Sequence, residues 1–335
     1  MTMSQVDPPG ATPAVTTAAA QAATRSAIEI RGLRKSYGNL TVLDGIDLTI
    51  AEGSVFSLLG PNGAGKTTMV KILSTLTSAD AGEVRVLGHD LRRDPDGVRS
   101  VIGVTGQFSA VDMYHNATEN LQLMADLWHL PKREGRRRVA ELLDLFDLAG
   151  AAHRPVMTFS GGMKRRLDLA MTLVGSPRII FLDEPTTGLD PEGRHATWET
   201  IRGLVREHGV TILLTTQYLD EADQLADHVA VLDGGRLVAE GTADELKRRV
   251  PGGHMLLTFA GPAALDDATR ALGDTVTRDG ENLTLQVPSD GTALSVQTVL
   301  NQIDSHTVTN LSLHTPDLDD VFFALTGHNT TKDKP

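Results

Sequence analysis

Alternating and continuous apolar segments predict most of the elements in the first half of the chain. Ala27 to Glu52 alternates apolar and polar positions, as in Leu43 to Ile50, and this period of two predicts antiparallel strands. The compact apolar run Val55 to Leu59 then enters a glycine-rich turn, and a helical pattern begins at Thr67. We therefore predict an antiparallel sheet followed by a strand–turn–helix unit.

Residues 112 to 158 change to a helical period. Asn116 and Glu119 have the side chains and the spacing of a capped helix start, and apolar residues recur at helical spacing on both sides of Pro131. We predict a mostly helical insertion here. Its run Arg136-Arg137-Arg138 is expected to be a solvated helix face.

Strands and helices alternate from Arg178 onwards. Ile179 to Leu182 and Val210 to Leu214 are continuous apolar runs typical of buried strands, and Trp198 to Glu207 has a helical pattern between them. This order predicts a parallel sheet with helices on its faces.

The last quarter of the chain has the pattern of a small α+β domain. After a Pro-Gly-Gly linker, the pattern predicts strand 255–259, helix 263–272, a hairpin turning at Asp279-Gly280, helix 292–303 and strand 307–313. The order βαββαβ is the ferredoxin-like arrangement. A last helix, Leu318 to Leu325, closes the chain, and the segment Leu318 to Thr326 is expected to dock back onto the larger domain that precedes the small one.

These patterns divide the chain into expected domains and tails. Residues 1–25, rich in Ala, Thr and Pro, are predicted to be a disordered tail rather than a signal peptide. We predict a domain over 26–250 with the helical subdomain at about 112–158, a regulatory or dimerisation domain over 251–328, and a short tail over 329–335.

Composition narrows the class of protein. The 335 residues contain 31 Lys and Arg against 43 Asp and Glu, and the net charge of −12 argues against a broad nucleic-acid-binding surface. The absence of cysteine excludes disulfides and thiolate metal sites. No apolar run approaches the roughly 18 residues that span a bilayer, so we expect a soluble, cytoplasmic chain.

A glycine-rich turn carries the strongest chemical signal. Gly60-Pro61-Asn62-Gly63-Ala64-Gly65-Lys66-Thr67 matches the phosphate-binding pattern G-x-x-x-x-G-K-[ST] between a strand and a helix. Its glycines let backbone N–H groups surround phosphate oxygens, while Lys66 reaches the β and γ phosphates and Thr67 ligates Mg²⁺. With Thr68 beside it, this loop is predicted to bind a nucleoside triphosphate.

Two acids follow the buried strand at Ile179 to Leu182. The carboxyl ends of parallel strands are where such sheets bind ligands. Asp183 is therefore placed to hold Mg²⁺, and Glu184 to orient or deprotonate an attacking water.

Ser160-Gly161-Gly162 opens another helix and forms a second anion-binding turn. A serine cap with glycines for a tight turn would explain the segment without any function. A single triphosphate needs two such turns only when two copies of the chain face each other.

Together these segments resemble the ABC-type ATPases. Gly60 to Thr67, Phe159 to Met163 and Ile179 to Glu184 resemble the Walker A, signature and Walker B motifs of that family, in its order. Thr186 to Asp190 resembles its D-loop. Gln107 lies where its Q-loop glutamine is found, and Tyr37 where its adenine-stacking aromatic is found; as one of three tyrosines, Tyr37 could also simply be packed.

The resemblance covers about residues 27 to 250 and implies a fold, cofactors and an assembly. The fold is α/β, an ABC-type P-loop NTPase with an antiparallel β subdomain and a helical insertion, to which the small α+β C-terminal domain is added. The cofactors are ATP and Mg²⁺, the latter held by Thr67, Gln107 and Asp183. Two chains would form a head-to-tail homodimer, in which Ser160 and Gly162 of one chain meet the γ-phosphate held by Lys66 of the other. Asp190 of the D-loop region is also expected to bind the nucleotide.

Further segments resemble the daunorubicin/doxorubicin-resistance ATPases in particular. These segments are Arg165 to Leu169, Thr215-Thr216-Gln217-Tyr218 and Leu318 to Gly327. Members of that family hydrolyse ATP for drug and polyketide exporters and pair with a separate membrane permease. The resemblance implies a peripheral position on the cytoplasmic face of the plasma membrane.

Gln217 departs from the broad family, which has a histidine after this strand. Glutamine can also donate a hydrogen bond to a γ-phosphate, but only histidine titrates near neutral pH. We expect Gln217 to sense phosphate and position water, with Lys66 and Glu184 as the other catalytic residues.

Other functions stay open at this point. A soluble ABC ATPase acting on nucleic acid or ribosomes usually has two ATPase copies, zinc cysteines or basic arms, which this sequence lacks. An ABC subunit that moves lipid or polysaccharide would have the same ATPase motifs. A small-molecule kinase would have no use for Ser160-Gly161-Gly162.

Overall fold

The computed structural model describes residues 25–106, 110–250, 253–314 and 316–326. The strands are β1 Ser26–Tyr37, β2 Leu40–Ala51, β3 Val55–Leu59, β4 Ala81–Val86, β5 His89–Asp90, β6 Ile102–Thr105, β7 Ile179–Asp183, β8 Thr211–Thr216, β9 His228–Asp233, β10 Arg236–Gly241, β11 His254–Phe259, β12 Thr277–Asp279, β13 Thr284–Pro288 and β14 Val308–His314. The α-helices are α1 Lys66–Leu73, α2 Pro95–Val101, α3 Ala117–Leu127, α4 Lys132–Leu145, α5 Gly161–Thr172, α6 Pro191–His208, α7 Leu219–Leu225, α8 Ala243–Arg248, α9 Pro262–Leu272, α10 Ala293–Leu300 and α11 Leu318–Thr326.

The first sheet is antiparallel and has the order β2-β1-β4-β5. Strands β1 and β2 pair along most of their length, and β1 also pairs with β4. Alternate residues such as Ile28 and Ile30 are buried, as the period of two in the sequence requires. The predicted antiparallel strands are confirmed.

The central sheet has the order β10-β9-β3-β8-β7-β6 and is parallel except for β10. Strands β3, β7 and β8 are buried along their whole length, because apolar cores cover both faces of the sheet. In β7, Ile180 and Leu182 face one core while Ile179 and Phe181 face the other. The predicted parallel sheet is confirmed.

The helix predicted at Trp198 to Glu207 is longer than expected. Helix α6 begins at Pro191, because the Asp190 side chain accepts a hydrogen bond from the Gly193 N–H and caps it. Its buried face includes Trp198 and Leu204.

The insertion is helical, as predicted. Asn116 and Glu119 form a reciprocal capping box at the start of α3, which packs on α4 and α5. The prediction of a fully solvated arginine run was wrong for Arg138. Its guanidinium donates to the Leu173 carbonyl at 2.8 Å, since it lies on the side of α4 that faces the end of α5.

The third sheet has the order β12-β13-β11-β14, so the βαββαβ chain order gives the ferredoxin-like arrangement of strands. Helix α10 is shorter than predicted and ends at Leu300. The predicted hairpin also differs, because its connection runs over residues 280–283. Asp279 accepts hydrogen bonds from the Glu281 and Asn282 N–H groups there, and this Asx-type turn lengthens the loop.

Helix α11 returns to the central sheet and packs against it. Leu318, Val321 and Phe322 are buried in one cluster with Leu59 of β3 and Leu219 of α7. The expected return of the C-terminal helix is therefore present within one chain. None of the helices in the described part of the chain has the length and apolar character needed to cross a bilayer.

Candidate nucleotide-binding and catalytic site

The phosphate loop joins β3 to α1 at the carboxyl edge of the central sheet. The Gly60 N–H donates to the Thr216 carbonyl at 3.2 Å, and a Cβ at Gly60 would lie 2.3 Å from the Leu232 carbonyl oxygen. Gly65 has φ of 112°, and its Cβ would lie 2.8 Å from the Val42 carbonyl oxygen. Packing therefore requires glycine at both positions, while Gly63, with φ of 84°, faces open space.

Lys66 is the buried cation of this loop. Only 4% of its side chain is exposed, its Nζ donates to the carbonyls of Gly60 at 2.8 Å and Pro61 at 3.1 Å, and Glu184 Oε1 lies 3.6 Å away. Burial lowers the pKa of Lys66, while the charges of Glu184 and Asp183 act in the opposite direction. A phosphate group would supply further negative charge and favour the charged ammonium.

Asp183 is the last residue of β7 and lies next to α1, the helix that follows the phosphate loop. Its Oδ1 accepts hydrogen bonds from the Thr67 hydroxyl at 3.2 Å and the Thr215 hydroxyl at 2.6 Å. A carboxylate and a hydroxyl side by side are ligands that suit Mg²⁺ when substrate phosphates and water complete the shell. Within the described ranges no group of three acidic, histidine or cysteine side chains could hold a metal, so a metal here would depend on those phosphates.

Glu184 leaves the strand in a left-handed conformation, with φ of 50°. Its N–H donates to the Thr215 carbonyl at 3.1 Å, and its Oε2 accepts from the Thr187 hydroxyl at 3.3 Å. A non-glycine residue in this region costs roughly 1–3 kcal/mol, which these contacts and the neighbouring sheet must offset. The conformation separates the adjacent acids, so that Asp183 contacts Thr67 while Glu184 approaches Lys66.

Gln217 follows β8 directly. Thr216 pairs with Leu59 in the parallel register, so Gln217 follows the strand end that lies beside Gly60. Its side chain is half-buried. The sheet thus brings Gly60, Lys66, Thr67, Asp183, Glu184 and Gln217 to one edge.

The Ser160 turn lies apart from that edge. Ser160 Oγ accepts from the Met163 N–H at 3.2 Å and caps α5, while Asp190 caps α6. Both helix starts border a cleft of about 490 Å³, whose lining includes Gly161, Gly162 and Gly188 but no residue of the phosphate loop. Within one chain, therefore, the two predicted anion-binding turns do not form a single site.

Tyr37 and Gln107 complete the predicted set. Tyr37 is 49% exposed at the end of β1, and Lys35 Nζ lies 5.3 Å from its ring centroid. The paired strand β2 touches the phosphate loop through Val42, which places the tyrosine on a hairpin beside the loop. Gln107 lies outside the described residues, so its predicted role stays a prediction.

Thr215 is a site residue that none of the sequence motifs indicated. Its hydroxyl binds the Asp183 carboxylate and accepts from the Glu184 N–H at 3.2 Å, so it orients both acids. The signal was present as two threonines at the end of a strand that is otherwise apolar.

Comparison with known proteins places this arrangement in a family. Residues 43–187 match the ABC transporter family model. The chain is 47% identical to daunorubicin resistance ATP-binding protein DrrA3 of Streptomyces coeruleorubidus, over 90% of this chain and 96% of that protein. It is 44% identical to doxorubicin resistance ATP-binding protein DrrA of Mycobacterium tuberculosis (90% and 93%) and 39% identical to Nod factor export ATP-binding protein I of Ralstonia nicotianae (90% and 94%).

Solved structures agree with these sequence relatives. The cbiO1 subunit of an ABC transporter complex from Clostridium perfringens superimposes with a TM-score of 0.62 at 26% identity, covering 67% of this chain and 94% of that one. A dimeric ATP-binding cassette in a post-hydrolysis state, bound to ADP and phosphate, gives a TM-score of 0.57 at 27% identity and covers 64% and 98%. The chain is an ATPase and belongs to the daunorubicin/doxorubicin-resistance family of ABC transporter ATP-binding proteins.

Proposed function

We propose that this chain is the ATP-hydrolysing subunit of an exporter that moves a drug-like or polyketide molecule through a separate integral membrane permease. The observation that carries the proposal is the convergence of Lys66, Thr67, Asp183 and Glu184 at one sheet edge. Identity of 44–47% to daunorubicin and doxorubicin resistance proteins, over about 90% of the chain, supports the choice of cargo.

The proposed chemistry is attack of water on the γ-phosphate with loss of ADP. Backbone N–H groups of residues 60–68 and the Lys66 ammonium bind the phosphates. Thr67 and Asp183 would hold Mg²⁺, which supplies charge neutralisation to the phosphates when bound, and Gln107 would complete its ligands. Positioning and electrostatics provide most of the rate enhancement in such reactions.

Glu184 is the proposed general base. A carboxylate in this role contributes roughly 10²–10⁴ in rate. The 3.6 Å approach of Lys66 to Glu184 means that phosphate oxygens, by attracting the ammonium, would free the carboxylate for the attacking water. Gln217 can donate to the γ-phosphate but cannot accept the proton, so the proton goes to Glu184.

We infer a head-to-tail homodimer, which the separation of the two turns supports. Ser160, Gly161 and Gly162 of one chain would contact the γ-phosphate bound by Lys66 of the other, with Asp190 at the same interface. The dimeric ADP-bound cassette among the solved structures supports this assembly. Tyr37 would stack on the adenine.

The permease would dock on the helical insertion. Tyr114 is 86% exposed next to Met113, and the Met157 N–H donates to the Met113 carbonyl at 3.0 Å, which places a third exposed apolar side chain beside them. Such a patch at the surface of a soluble chain favours a protein partner. The subunit would then lie peripherally on the cytoplasmic face of the plasma membrane.

We divide the chain into an ATPase domain over 26–250, with the helical subdomain at about 112–158, and a regulatory or dimerisation domain over 251–328. The acidity of the second domain supports the division, because residues 251–335 hold 11 acidic and 4 basic residues.

The net charge of −12 of the whole chain argues against nucleic acid as a partner.

Sedimentation with MgATP tests the ATPase assembly. We expect Glu184→Gln to bind ATP and accumulate as a dimer, with hydrolysis reduced by roughly 10²–10⁴. Lys66→Ala is the matched control and should remain monomeric. Rapid turnover by the Glu184 variant would exclude it as the base, and unchanged turnover by Gln217→Ala would exclude a sensor role for Gln217.

Export is tested separately with the permease. Cells that express both subunits should accumulate less daunorubicin than cells with the Lys66→Ala chain. The similarity to Nod factor export proteins favours a second candidate, export of a molecule of the Nod factor type in place of a drug. ATP-dependent dimerisation without any effect on drug accumulation would support that candidate.

A further inference from the structure

Arg165 on α5, the helix that begins at the Ser160 turn, and Glu221 on α7 are buried opposite charges near the loops behind the catalytic edge. Each side chain has at least one atom without a hydrogen-bond partner among the described residues. Arg165 lies on α5 with 11% of its side chain exposed, and its Nη1 binds Asp168 Oδ2 at 3.0 Å. Its Nε and Nη2 have no hydrogen-bond partner among the described residues, and neither has Oε2 of Glu221. Buried groups of this kind are costly to leave unpaired.

Glu221 connects the loops on either side of the site. Its Oε1 accepts from the Thr186 hydroxyl at 2.8 Å and from Trp198 Nε1 at 3.1 Å. Thr186 is two residues beyond Glu184, and Glu221 is four residues beyond Gln217 on α7. The carboxylate therefore lies between the loop after the base and the loop after the proposed sensor.

Helix α5, which carries Arg165, packs against α6, whose Trp198 binds Glu221, and the electrostatics agree with a guanidinium near that carboxylate. Burial lowers the pKa of Arg165, and the charges of Asp168 and then Glu221 raise it again. Burial raises the pKa of Glu221, while the polar groups of Thr216, Thr186 and Trp198 lower it. The charge of Glu221 thus acts on the guanidinium, although the ion pair that Arg165 makes in this structure is with Asp168.

We infer that Arg165 is a positioning residue: when the Ser160 turn closes on ATP, the guanidinium turns its unpaired N–H groups to Glu221 and ties the turn to the loops behind Glu184 and Gln217. This inference rests on the ATP-dependent dimer proposed above. Arg165 lies five positions after Ser160, about 7.5 Å along the axis of α5, so a movement of the turn is transmitted to the guanidinium by a rigid element. The ion pair would then couple the contact of this chain's own Ser160 turn with the partner's ATP to the catalytic edge of the same chain.

Trp198 gives a direct readout, because its indole N–H binds the same carboxylate. The full chain has two tryptophans and can be labelled with 5-fluorotryptophan for ¹⁹F NMR, with Trp128→Phe used only to assign the signals. In the Glu184→Gln background, MgATP should shift the Trp198 resonance. The shift should be lost in Arg165→Met and Glu221→Gln, and restored in Arg165→Lys, which keeps the charge.

Arg202→Met is the matched control. Arg202 also reaches α7, through the Gln224 carbonyl, but at the end of that helix away from Glu221. We expect it to leave the ATP-induced shift intact. Glu221→Gln serves if Arg165→Met does not fold, since its amide oxygen still accepts from Thr186 and Trp198.

Sedimentation of the same samples separates the possible failures. A parent protein that dimerises with ATP without a shift at Trp198, or an Arg165→Met protein that shifts like its parent, overturns the ion-pair inference and leaves the proposed function standing. A parent that neither dimerises nor shifts overturns both.

Turnover provides the second test. Arg165→Met and Glu221→Gln, in the chain with Glu184 intact, should each lower kcat about tenfold and leave KM for ATP within twofold, because neither residue touches the phosphate loop. The double variant should be no slower than either single variant. Multiplying effects, near a hundredfold, would show that the two residues act independently and would overturn the pair.

Discussion

Phe322 and Phe323 provide a sharp test of how the C-terminal helix is attached. Phe322 is 4% exposed and packs with Leu59 and Leu219, whereas the adjacent Phe323 is 51% exposed. Replacing a buried phenylalanine with alanine costs about 3–5 kcal/mol through lost burial and the cavity that remains. Replacing an exposed one usually changes stability by no more than about 0.5 kcal/mol.

Hydrogen exchange followed by mass spectrometry measures this difference on α11 itself. A loss of about 3 kcal/mol corresponds to a rise of at least 100-fold in the opening equilibrium of the helix, since each tenfold factor is about 1.4 kcal/mol. Phe322→Ala should therefore accelerate exchange over residues 318–326 by about two orders of magnitude, and Phe323→Ala by about twofold at most. Equal acceleration by the two variants would refute the docking of α11 on this face.

Three further predictions concern the site. Thr215→Val removes a 2.6 Å hydrogen bond to Asp183, so the Mg²⁺ concentration needed for half-maximal ATPase activity should rise several-fold; an unchanged titration would contradict the role of Thr215. Gly65→Ala should abolish ATP binding, because its Cβ meets backbone at 2.8 Å, whereas Gly63→Ala, with open space and only backbone strain, should still bind in calorimetry. Burial raises the pKa of Glu221 from 4.5, so protonation favours the folded state and the free energy of unfolding falls as pH rises above about 4.5 through the raised value. Glu221→Gln should lack this decline, and urea unfolding at pH 4.5 to 8 should show a stability difference that grows with pH.

These variants also separate stability from function at Glu221. The glutamine removes a buried charge and is expected to stabilise the chain at neutral pH, yet it removes the proposed partner of Arg165. A protein that is more stable and turns over more slowly is the expected combination when a buried polar group is kept for function.

The sequence by itself determined the elements and most of the chemistry. The phosphate-loop pattern and its strand–helix context identified Lys66 and Thr67, since backbone phosphate binding depends on local residue types. The apolar strand before Asp183 and Glu184 identified the acids for the same reason. The βαββαβ order was also local, because short periodic segments and turn residues specified each element.

The tertiary structure decided what the elements bring together. Thr215 is 32 residues from Asp183 along the chain. Only the parallel pairing of β7 with β8 brings its hydroxyl close enough to donate a hydrogen bond to that carboxylate. The left-handed turn at Glu184, the cleft between Ser160 and Asp190, and the buried charges of Arg165 and Glu221 have no local signature. They depend on long-range packing, in which a side chain's partners are set by neighbouring strands and helices and not by its neighbours in sequence.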